Sequence, residues 1–175
     1  MTPEILINDR KIGSNHTPLV IAEIGINHEG DFEKAKKMIL DAFEQGAECV
    51  KFQCHIIDDE MIENNVKPPN ANETIWSIME RCALTFEQEK QLKKITEDLG
   101  MIYLNTPFSR SAARRLKSMD VSAFKIGSGE CNNYPLIEEI ASYGKPVILS
   151  TGMNTIQSIE QSVSILENAE IDYAL

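Results

Sequence analysis

Short apolar, β-branched runs alternate with helical-period segments along most of this 175-residue chain, and that alternation leaves few folds open. Strands are predicted over 18–27, 48–54, 101–108, 123–127 and 146–152, with another beginning at 172–175. Between them, "DFEKAKKMILDAFEQG" places Phe32, Ala35, Met38, Ile39, Ala42 and Phe43 on one helical face, and Gly46 stops it. Thr85 and Gln88 have capping-box spacing ahead of a helix that runs to Leu99. Further helices are expected over 109–118, 134–142 and 155–168. Repeated βα units of this kind form a parallel sheet covered by helices.

The choice lies between a barrel and a doubly wound sheet. The first βα turn, "GINHEGD", lacks the GxGxxG of a dinucleotide-binding sheet, which favours the barrel. The expected fold is a (β/α)8 TIM-type barrel. Such barrels need ~250 residues, so this chain holds about the first five to six βα units. Residues 1–175 are therefore expected to be a single domain, a partial barrel from a longer protein. The opening "EILINDRKIG" reads as a hairpin with Asn8-Asp9 near its turn, placed to plug the barrel bottom. The one long connection, 55–84, contains a loop-like "NNVKPPNANE" and a helical "TIWSIMERCAL".

Composition removes several function classes. A net charge of −10 argues against nucleic acid as a partner. No apolar run approaches the ~18–20 residues of a membrane span, and no secretory signal is visible at the start. Cys49, Cys54, Cys82 and Cys131 form no CxxC and no cluster with the three histidines. Reduced thiols and a cytoplasmic location are the expectation.

Lys125 is the anomaly. It stands in a strand whose neighbours Phe124 and Ile126 must be buried, and a buried charge is costly unless paired. Side chains alternate faces along a strand. If the apolar sets face the helices, Glu23, Lys51, Gln53 and Lys125 all point into the barrel, and Asn27 shares the parity of Glu23. Thr106, Ser128 and Glu130 lie at C-terminal strand ends, where barrel enzymes carry their chemistry. Gly127, Ser128 and Gly129 let a ligand approach backbone N–H groups. Two lysines with hydroxyls suit a substrate bearing phosphate and carboxylate, and a carboxylate beside them can move a proton. The plain alternative is a structural ion-pair network filling the barrel.

The stretches "VIAEIGINHEGDFEKAKKMI", "CVKFQ", "NTPFS" and "FKIGSGECNNYPLIEEIASYGKPVILSTGMNT" resemble the sialic acid synthase family, which makes N-acetylneuraminate, legionaminate or pseudaminate. The resemblance runs from about residue 18 to 175. It implies a barrel followed by a small antifreeze-like domain, absent from this chain, and a domain-swapped homodimer. It implies condensation of phosphoenolpyruvate with an N-acetylated amino sugar such as N-acetylmannosamine, with phosphate released. A divalent metal, Mn2+ or Mg2+, would polarise the aldehyde, its histidine ligands lying beyond residue 175. The resemblance makes Lys51 and Lys125 clamps for phosphoenolpyruvate, with Thr106 and Ser128 adding hydroxyls. Glu23 and Gln53 would face the sugar, and Glu130 would sit near the reacting centre. Asn27 and His28 match the family's "NH" after strand one, without an assigned role. His55 follows Cys54 with no motif to recommend it, and no metal ligand is assigned in this chain. As it stands, the chain alone is expected to be inactive.

Two other functions fit the same residues. A Schiff-base aldolase needs one lysine of lowered pKa. A non-catalytic remnant would bind without turnover.

Overall fold

The computed structural model describes residues 4–175. A hairpin opens it, with β1 (Glu4–Ile7) and β2 (Arg10–Gly13) antiparallel. The βα units follow as β3 (Ile21–Gly25), α1 (Phe32–Glu44), β4 (Cys49–Cys54), α2 (Ile57–Glu60), α3 (Ile75–Cys82), α4 (Phe86–Asp98), β5 (Ile102–Pro107) and α5 (Arg110–Ser118). They continue as β6 (Phe124–Ile126), a 3-10 turn (Ser128–Glu130), α6 (Tyr134–Ala141), β7 (Val147–Leu149), α7 (Ile156–Asn168) and β8 (Tyr173–Ala174).

Strands β3-β4-β5 form one parallel sheet and β6-β7-β8 a second, with β5 packed alongside β6. Spatial order therefore follows chain order throughout. A doubly wound sheet would reverse direction at a switch point, and none occurs among the described residues. The helices begin where their caps dictate. Asp31 accepts from the Lys34 N–H, Thr85 and Gln88 form a reciprocal capping box, and Thr155 accepts from the Ser158 N–H. In the long connection the sequence reading missed α2, a single acidic turn, but found α3, which Thr74 caps.

Strand alternation sorts the side chains into two layers. Val50, Phe52, Tyr103, Phe124, Ile126, Val147 and Leu149 pack against the helices in the larger core, with Ala35, Ile39, Leu92, Leu116 and Ile137. The opposite parity at the strand starts points inward. Cys49, Ile102, Leu104 and Ala123 meet Ile5 and Ile7 of the hairpin there, flanked by Ile12, Ile21, Ile148 and Ala174. The hairpin thus plugs the interior at its N-terminal end. Ile7 is 1% exposed, and burying such a side chain contributes roughly 1.5–3 kcal/mol.

One correction concerns the first strand, which ends at Gly25 rather than Asn27. The register with β4 shifts between Glu23 and Gly25, and Gly25 takes φ +56°. Alternation stops there, so the shared parity of Glu23 and Asn27 does not hold. Asn27 stands exposed in the turn that follows. Gly30 in the same turn has φ +82°, and a Cβ on it would lie 2.2 Å from the Arg81 carbonyl oxygen. Only glycine lets α3 close over this loop.

Candidate functional site

Above the apolar plug, the inward positions turn polar. One step past Cys49 and Ile21 stand Lys51 and Glu23, paired in register across β3 and β4. The Lys51 ammonium, 12% exposed, sits 2.6 Å from Glu23 Oε2 and donates to Thr106 Oγ1 at 3.1 Å. Thr106 is itself buried at the end of β5. Its methyl group lies 3.7 Å from where a Cβ of Gly127 would be, which brings the site onto β6.

Lys125 is held differently. Its Nζ donates to the Ile126 carbonyl oxygen and to Ser150 Oγ, both at 2.6 Å. Among the described residues no carboxylate pairs with it. Burial, then the charge of Lys51, push its pKa down to about 8, against a smaller opposing pull from Glu23. The two ammonium groups therefore sense each other across one interior. They are neither splayed to opposite faces nor each neutralised by a carboxylate. A structural ion-pair network would have given Lys125 a partner.

Ser128 opens the 3-10 turn after β6. It lies 3.7 Å, at its Cβ, from the position a Gly152 side chain would occupy. The Asn154 amide donates to the carbonyl oxygens of Ser128 (2.7 Å) and Gly152 (2.8 Å), tying the two loops together. Gln53, inward on β4, has its Oε1 3.0 Å from His55 Nε2.

Other predicted residues stand apart from the lysines. Glu130, half-buried, accepts from the Asn133 amide at 2.6 Å and touches neither ammonium group. Asn27 is exposed at the rim of the β3 loop. His28 belongs to the helix layer, 1% exposed and 5.9 Å from the Phe52 ring. Its Nδ1 accepts the Gly30 N–H, and burial lowers its pKa. Cys131 is a core residue, fully buried.

Two residues were missed. Ser150 was legible, because it continues the inward parity of Ile148 past the end of β7. His55 carried no signal, since its partners Gln53, Glu60 and Phe108 come from three segments. A cavity of about 710 Å3 opens at the opposite end beside the Arg10–Glu48 ion pair and is unconnected with this chemistry.

Among the described residues no helix is long and apolar enough to cross a membrane, and all four cysteines are free and buried. The sequence model of the NeuB family matches residues 38–175. An uncharacterised protein, MJ1065, of Methanocaldococcus jannaschii is 36% identical over 165 residues, 94% of this chain and 47% of that one. The N,N'-diacetyllegionaminic acid synthase of Campylobacter jejuni is 33% identical over 154 residues, 85% of this chain and 46% of that one. A solved N-acetylneuraminic acid (sialic acid) synthetase from Leptospira borgpetersenii serovar Hardjo-bovis, in complex with citrate, matches at TM-score 0.88 and 29% identity. That match covers 99% of this chain and 58% of the other. The chain spans about half the length of the curated relatives it matches. With α/β architecture, sequential parallel strands and these matches together, the chain belongs to the NeuB family.

Proposed function

We propose that this chain supplies the phosphoenolpyruvate-binding half of a nonulosonic acid synthase, built as the first five to six units of a (β/α)8 barrel. The observation that carries this reading is Lys125, an inward ammonium group with no protein carboxylate, facing a second lysine that has one. Glu23, Lys51 and Lys125 together leave one positive charge unbalanced. An anion that reaches both lysines offsets that charge and raises the Lys125 pKa again.

In this reading Lys125, Ser150 and Ser128 take the phosphate, and Lys51 with Thr106 takes the carboxylate. Glu23 and Gln53 face the acceptor, an N-acetylated amino sugar in its open-chain form. C3 of phosphoenolpyruvate attacks the aldehyde carbon and water adds at C2. Phosphate then leaves with C–O cleavage, its charge held by Lys125. Glu130 stands at the edge of the site, where it moves a proton after loosening from Asn133. The family names above differ in their sugar, so the acceptor is assigned here only as a class.

Family resemblance also calls for Mn2+ or Mg2+. Among the described residues no three His, Cys, Asp or Glu side chains gather to hold a metal ion. These residues do not fit that group, and no step here runs through it. A cytoplasmic location and a domain-swapped dimer belong to the same proposal, the former supported by the free thiols.

The test is phosphate release from phosphoenolpyruvate with N-acetylmannosamine and with 6-deoxy diacetamido sugars, on the protein as the cell makes it. Turnover with one of them is expected, and none with any of them defeats the proposal. The lowered pKa of Lys125 favours one rival, a Schiff-base aldolase. Borohydride in the presence of a keto acid separates the two, because a covalent adduct on Lys125 or Lys51 would establish the rival.

A further inference from the structure

We propose that His55 is a positioning residue that holds the Gln53 amide with its NH2 group turned into the mouth. The site thereby selects an acceptor offering a hydrogen-bond-accepting oxygen at that point. The inference rests on the reading above, in which Gln53 faces the acceptor.

His55 is 4% exposed just past β4, with its ring stacked 4.6 Å from that of Phe108. Its Nδ1 lies 2.8 Å from Glu60 Oε2, and its Nε2 3.0 Å from Gln53 Oε1. A carboxylate and an amide oxygen are both acceptors. With the amide oxygen turned toward the ring, Nε2 donates to Gln53 Oε1, while Nδ1 pairs with Glu60, whose side chain is 10% exposed. A ring without a proton on Nε2 keeps this contact only if the amide turns over and presents its oxygen to the mouth instead. The Glu60–His55 pair thus decides which end of Gln53 a substrate meets.

The far end of that amide is free to act. Gln53 Nε2 has no hydrogen-bond partner among the described residues. It lies 3.6 Å from where a Gly25 side chain would begin, beside the gap into which Glu23 Oε1 reaches. The ring is held by stacking on one side and by Glu60 on α2, so it cannot follow the amide. The other ionisable groups whose fields reach this neighbourhood are Glu89 on α4, its partner Arg115 on α5, the Cys54 thiol and His28.

The test compares His55→Phe, His55→Gln and Glu60→Gln with the wild type in the protein as the cell makes it. Phenylalanine keeps the stack on Phe108 and removes both hydrogen bonds. The expected result is a rise of about tenfold in KM for the amino sugar, with KM for phosphoenolpyruvate and the melting temperature unchanged. His55→Gln, which can still donate one N–H to Gln53, recovers part of the loss. Glu60→Gln loosens the ring and raises KM for the sugar by less than His55→Phe does. Nitrogen-15 NMR of His55 shows a proton on Nε2. An unchanged sugar KM in His55→Phe overturns the inference. So does a parallel rise in both KM values with a lowered melting temperature, or an Nε2 that carries no proton. A wild type that never consumes phosphoenolpyruvate sinks the reading of the reaction instead, and the ring NMR still decides the state of His55.

Discussion

The two halves of the mouth hold a lysine each, and they treat it in opposite ways. On the β3-β4-β5 side, Lys51 meets a carboxylate at 2.6 Å and a hydroxyl at 3.1 Å. On the β6-β7-β8 side, Lys125 meets only neutral oxygens, and its pKa falls to about 8. A compensated charge is part of the wall. An uncompensated charge at the same depth is a standing cost to the apo fold, tolerated where a ligand repays it. Under the proposed function, the contrast assigns most of the anion's binding energy to Lys125 rather than Lys51.

Replacing Lys125 with methionine breaks the contrast most sharply. Charge-assisted contacts are worth about 1.5–3 kcal/mol each, so affinity for phosphoenolpyruvate should fall by about 100-fold in calorimetry. The same variant should melt higher than wild type at pH 7. The sign follows from linkage. A lysine whose folded pKa is lowered destabilises the native state fully below about pH 8. That burden lifts as pH rises toward the ordinary lysine value. The gap in melting temperature should therefore narrow on the alkaline side, and a variant that melts lower at pH 7 contradicts the uncompensated charge.

Next in size is the pH dependence of the wild type. Above about pH 8 the unliganded Lys125 sheds its proton. Affinity for phosphoenolpyruvate should then drop by about tenfold per pH unit until the liganded pKa is reached. Titrations near pH 8 in buffers of different ionisation enthalpy should show proton uptake on binding. No uptake, or uptake surviving in Lys125→Met, assigns the titration to another group.

Lys51→Met is a smaller perturbation. It strips a partner from Glu23, whose side chain is already 50% exposed, so stability should barely move. Affinity should fall by about tenfold, less than for Lys125. A larger loss than Lys125→Met reverses the ranking of the two halves. Ser150→Ala is the finest probe. It removes one neutral contact to Lys125, and a loss of about threefold to tenfold in affinity is expected. An unaffected Ser150 variant would show that the hydroxyl only fills space.

Much of this was legible from periodicity. The inward parity of Lys51, Gln53 and Lys125 follows from two-residue alternation inside strands that stay regular. So does that of Ser150, though it lies one residue past the strand and was overlooked. The same rule failed at Asn27, because the backbone leaves the strand at Gly25 with a positive φ that no pattern of apolar residues announces. For Glu130 the strand pattern gave only a place past β6, and the reacting-centre role came from the family resemblance. In the structure its carboxylate accepts from Asn133 in the local turn, a contact as short-ranged as the one that caps α6.

By itself the sequence determined the element order, the helix caps, the hairpin and the sorting of side chains between helix layer and interior. All of these are local, set by spacing over a few residues. Only the tertiary structure decided which carboxylate and which hydroxyls each lysine meets. Those choices join residues far apart in the chain, such as Lys51 with Thr106 and Lys125 with Ser150. Their energies depend on distance and burial in the assembled interior, and neither quantity exists until the strands have closed around it.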